Sequence, residues 1–112
     1  MVSPLVRDRY LRDPLPLRLG GLAADLARIA SFAENPKNHK VVESLLEEGK
    51  WFAEWAAPEA PLEVQEKLAE VQLQLALWQR RWTTGRADPD MKGEAKRWSD
   101  VLLELSGLVQ PS

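Results

Sequence analysis

The sequence predicts an all-α domain, an antiparallel up-and-down four-helix bundle with a short N-terminal arm. Three observations carry that expectation. Prolines at 4, 14, 16, 36, 58, 61, 89 and 111 leave four long proline-free segments, about 17–34, 37–57, 62–84 and 90–109. Each segment spaces its apolar residues by three and four, which keeps one stripe on one helix face. β-Branched residues hardly cluster, so no stretch reads as a strand.

The elements follow in order. Residues 1–13 form the arm, in which Ser3-Pro4 starts a short helix carrying Leu5, Val6, Tyr10 and Leu11. Residues 14–112 form the bundle as a single domain. Asp13-Pro14, Asn35-Pro36 and Asp88-Pro89 are entry signals: proline suits the first helical turn, where its missing N–H costs nothing, and Asp and Asn cap the donors that remain. The first long helix carries Leu19, Leu22, Leu26, Ile29 and Ala33, the second Val42, Leu45, Gly49, Phe52 and Ala56. The third carries Val64, Leu68, Val71, Leu75, Trp78 and Trp82, the fourth Met91, Ala95, Trp98, Leu102, Leu105 and Val109. With their entry turns these helices should run roughly 21–24 residues, about 30–35 Å. Short connections make them antiparallel neighbours. Gly20-Gly21 and Gly49 interrupt the pattern. Either the first helix begins near Leu22, or the glycines admit a facing helix or an indole at close range.

At 112 residues the chain is long enough for one core. Apolar residues at 45% and charged residues at 29% are ordinary globular proportions. Fifteen Lys+Arg against seventeen Asp+Glu leave a net charge of −2, which does not suit a general polyanion binder. The charge falls in blocks: +2 over residues 1–31, −5 over 32–70, +3 over 71–98, then −2 from Asp100 and Glu104. Solvated faces of antiparallel neighbours account for such blocks. With no cysteine there is no disulfide frame, thiol nucleophile or Cys-based metal site. No apolar run reaches the roughly 18 residues of a membrane span. The opening Met1-Val2-Ser3-Pro4 does not resemble a secretory leader, so a cytoplasmic location is expected.

Catalytic chemistry is poorly supplied. His39 is the one histidine, and the Glu-x-x-His pairs of a diiron bundle are missing. Glu43, Glu47, Glu48 and Glu54 read as a wet helix face, and the serines have no base at helical spacing beyond accidental ones. The chain is expected to be non-enzymatic, with no catalytic, metal or cofactor-binding residues.

Five Trp against two Phe and one Tyr invert the usual order. Trp78, Trp82 and Trp98 lie on seams and read as core. Trp51 points away from its seam, Trp55 flanks it, and Phe32 is off the seam of the first helix. Ala69, Leu73, Ala76 and Leu77 make a second apolar stripe on the third helix, almost opposite the first. A bundle helix needs one buried face, so a second suggests another contact. The expected role is therefore protein–protein interaction or adaptor function, as a homodimer or with another protein, through Trp51, Trp55, Leu73 and Leu77. The same residues could instead fill the flanks of a single core.

The alternative is nucleic-acid binding by Arg80, Arg81, Arg86, Lys92, Lys96 and Arg97 around the last connection, with Trp82 and Trp98 nearby. Asp88, Asp90 and Glu94 dilute that patch. A third reading places a small apolar ligand or pigment between helices near Gly49 and the seam tryptophans. The arm Pro4–Arg12, with Arg7, Arg9 and Arg12, is basic and amphipathic but short for lipid binding; packing on the bundle or a second copy suits it better.

Three stretches resemble small uncharacterised all-helical proteins from cyanobacteria. They are Pro4-Leu5-Val6-Arg7-Asp8-Arg9-Tyr10-Leu11-Arg12-Asp13-Pro14 with Arg18-Leu19-Gly20-Gly21-Leu22, Val41-Val42-Glu43-Ser44-Leu45-Leu46-Glu47-Glu48 through Trp51-Phe52-Ala53-Glu54-Trp55, and Leu75-Ala76-Leu77-Trp78-Gln79-Arg80. The resemblance implies a cytoplasmic bacterial protein and carries no assigned activity or functional residues.

Overall fold

The computed structural model describes residues 4–85 and 88–108. The expected cap Ser3, the seam residue Val109 and the basic residue Arg86 lie outside the described residues. Within them every regular element is helical: α1 (Pro4–Arg12), α2 (Leu15–Phe32), α3 (His39–Ala56), α4 (Leu62–Thr83) and α5 (Met91–Ser106), with single 3₁₀ turns at Pro36–Asn38 and Ala57–Glu59. The all-α class is thus as expected.

The long helices run 18, 18, 22 and 16 residues, mostly shorter than expected, and their ends show why. The Asn35 side chain accepts from the Lys37 N–H and caps a 3₁₀ turn rather than α3 itself, which begins at His39. Pro58 lies in the second 3₁₀ turn, just past the end of α3. Gly107, with φ of 74°, stops α5 in the left-handed conformation that glycine adopts without a Cβ clash.

Gly20 and Gly49 are close-approach sites. α2 runs unbroken through Gly20-Gly21. A Cβ at Gly20 would come 2.8 Å from Leu108 Cδ1, and one at Gly49 would come 3.1 Å from Leu75 Cδ1. The helix start near Leu22 is therefore not observed, and the approaching groups are leucines, not indoles. Leu75 and Leu22 crowd the Gly49 face, so the room a ligand or pigment needs beside that glycine is taken by methyl groups.

Cross-helix contacts set the directions. Ser99 Oγ donates to the Ala23 carbonyl at 2.8 Å and Lys92 meets Glu34 at 3.3 Å, so α5 runs antiparallel to α2. The Leu22 methyl near Gly49 and the Tyr10 hydroxyl bridging the Arg18 and Phe52 carbonyls make α3 antiparallel to α2. Gln65 to the Ala57 carbonyl, Gln79 to Glu47 and Trp82 to the His39 carbonyl do the same for α4 on α3. α4 and α5 meet only sparsely. The order across the molecule is α5, α2, α3, α4, in an envelope of 37 × 36 × 21 Å, and α4 stands at an edge.

The core is one cluster fed by all five helices and includes Leu22, Leu26, Ile29, Val42, Leu46, Leu68, Val71, Leu75, Trp78, Met91, Trp98 and Leu102. α1 joins it through Tyr10, whose ring stacks on Phe52 with centroids 4.0 Å apart.

Candidate protein-interaction surface

The 3.6-residue period puts Leu75 and Trp78 of α4 inward and turns residues 62, 66, 69, 73, 77 and 80 outward. Leu62, Leu73 and Leu77 are 71%, 64% and 43% exposed, and Ala69 and Ala76 are exposed with them. Because α4 packs along its length on α3 alone, the outward strip stays largely uncovered by the described residues. Leu62 extends the stripe to the helix start; sequence reasoning missed it, although its spacing of seven from Ala69 was a readable signal.

The tryptophans of the expected surface lie on α3. Trp51 and Trp55 face each other at 5.8 Å between centroids. Trp55 also leans on Tyr10 and Phe52, at 6.0 and 6.1 Å, and is half-buried against the core. Trp51 is half-buried, and its indole N–H donates to Glu47 at 3.0 Å. Gln79 donates to the other oxygen of Glu47 at 2.6 Å, and this bond, reinforced by Trp51 and Lys50, holds the carboxyl below its ordinary range against the opposing effect of burial. The structure thus gathers Trp51 with Trp55 and Leu73 with Leu77, on two different helices.

The basic residues of the last connection are largely engaged. Arg81 meets Asp88 at 2.6 Å, Lys92 meets Glu34 at 3.3 Å, and Arg97 meets Glu94 at 3.0 Å while lying 4.7 Å over the Trp98 ring. Arg80 and Lys96 are exposed. Trp78 and Trp98 are core residues, whereas Trp82 is half-buried, with its ring 4.8 Å from His39.

Two buried charged residues were not singled out in the sequence. Arg18 is 2% exposed; it donates to the Asp13 carbonyl and to Glu59, tying the entry of α2 to the turn after α3. Asp25 is 1% exposed between α2 and α3. Burial first, then proton sharing with and repulsion from Glu48, push its carboxyl up to about 8, against the pull of Arg28. A shallow groove of about 320 Å³ lies nearby, lined by Arg9, Tyr10, Asp13 and Glu48 among others. Among the described residues no group of three His, Asp or Glu could hold a metal ion, and no helix is long and apolar enough to cross a membrane.

No family model matches the chain, and neither a curated protein nor a solved structure matches it significantly. The functional reading therefore rests on the residues themselves.

Proposed function

We propose that this chain is a non-catalytic, cytoplasmic protein-interaction module that self-associates through the outward face of α4. Its four long helices form an antiparallel bundle open along the α4–α5 side, so that one helix keeps an uncovered second face. The single observation carrying the reading is that Leu62, Leu73 and Leu77 stand exposed along one face of an edge helix whose other face is already packed. Scattered exposed leucines need no explanation, but a row at helical spacing on an edge element is what a partner covers. The Trp51–Trp55 pair supplies a second aromatic patch on α3 of the kind enriched at binding hot spots. Nucleic-acid binding around residues 80–97 has weaker support, because Arg81, Lys92 and Arg97 already hold carboxylates.

Light scattering on the purified chain and on Leu73→Glu/Leu77→Glu tests the reading. The native chain should exceed the 12.7 kDa of one copy at high concentration. The double variant should stay monomeric with unchanged helical circular dichroism. Equal masses for both proteins would remove α4 from the interaction.

A further inference from the structure

We infer that the molecule covering the outward face of α4 is a second copy of this chain, its α4 lying antiparallel to the first about a two-fold axis through Leu73. The inference rests on the reading above and adds the orientation and the register.

Glu66, Ala69, Leu73, Ala76 and Arg80 follow one another at spacings of three, four, three and four along the exposed face. That is the repeat by which two helices keep a common seam, and Leu77 flanks it. The seam is apolar in the middle, acidic at one end and basic at the other. A two-fold axis at Leu73 brings together positions equally distant from that residue. Leu73 then meets Leu73 of the second copy, Ala69 meets Leu77, Ala76 meets Glu70, and Glu66 meets Arg80. Small side chains face large ones, and an acid faces a base at each end. A parallel pairing in the same register would set Glu66 on Glu66 and Arg80 on Arg80, which is repulsive twice over.

The state of the two charges within one chain supports this arrangement. Among the described residues neither Glu66 nor Arg80 enters an ion pair, whereas neighbouring Glu70 is held by Lys67 at 3.7 Å and Arg81 by Asp88 at 2.6 Å. Both charges are thus unpaired among the described residues of the chain, and the two-fold axis joins them. The contact is isologous and closes on itself, giving a dimer rather than a filament.

The test is a charge exchange read by sedimentation equilibrium over a dilution series. Glu66→Arg and Arg80→Glu each turn two attractive contacts into two repulsive ones and should each weaken the dimer by roughly tenfold. The double variant Glu66→Arg/Arg80→Glu restores opposite charges at both ends and should recover most of the native affinity. As a geometric check, the native chain has no cysteine. Leu73→Cys should join to itself through a short bis-maleimide, whereas Leu62→Cys should not, its two copies standing about 33 Å apart along the seam. A native dimer that Leu73→Glu abolishes but that both single charge reversals leave unmoved would overturn the register while leaving the α4 face as the binding surface. A native chain that stays monomeric at every concentration would overturn the second copy as partner.

Discussion

Asp25 occupies a seam position of α2, three residues after Leu22 and four before Ile29, where an apolar residue would be ordinary. Its burial gives stability a pH dependence whose sign can be worked out. Below the unfolded value of 3.8 both states hold the proton. As pH rises, the unfolded chain releases it near 4 while the fold keeps it until about 8, so the fold loses stability through that window. The loss is on the order of a few kcal/mol. Glu47 acts on the other limb. Its lowered carboxyl stabilises the fold above its unfolded pKa, and that contribution disappears as pH falls through its folded value. Asp25→Asn should therefore flatten the decline in denaturant midpoint between pH 4 and 8, raise stability at pH 8 and leave the acid limb in place. An unchanged slope would contradict the account. Tyr10→Phe removes the hydroxyl that donates to the Arg18 and Phe52 carbonyls, and should cost about 1–2 kcal/mol in chemical unfolding while ring stacking persists. Both Arg18 and Asp25 were readable as seam positions. A reading that follows apolar residues alone passes over a charge that burial has made part of the core.

At the scale of the helix, prolines and spacings located all four long segments, because both act locally on the backbone. The ends were harder. Asn35-Pro36 signals a start equally well for a 3₁₀ turn and an α-helix, and only packing decides between them. Gly107 was a readable stop, since a glycine after the last periodic residue favours a left-handed cap. The internal glycines lead to opposite expectations. Leu108 is about half exposed and can swing outward, so Gly20→Ala should gain roughly 0.5–1 kcal/mol from helix propensity. Leu75 is fully buried, so Gly49→Ala should lose about 1 kcal/mol as three helices are pushed apart. Thermal unfolding of the two variants checks both signs, and matching shifts would refute the packing argument.

Across the whole molecule, the order α5, α2, α3, α4 arises from contacts between residues far apart in sequence, which no local pattern encodes. Periodicity identified the second apolar stripe on α4 but not that α4 would be an edge, and the edge position is what leaves the stripe uncovered. The expected surface accordingly separates into two parts. Leu73 and Leu77 are exposed, while Trp51 and Trp55 are half-buried, the first by its bond to Glu47 and the second by Tyr10 and Phe52. Because Leu73 is 64% exposed in its own chain, Leu73→Glu should change monomer stability by no more than about 0.5 kcal/mol. Its effect should fall on association alone. Sedimentation equilibrium of the native chain and of Leu73→Glu, over the same dilution series, tests that claim most directly. The account predicts a native mass that climbs with concentration toward twice the 12.7 kDa of one chain, and a variant fixed at one chain throughout. A native chain that stays at one copy, or a variant that dimerises as well as the native, would contradict it.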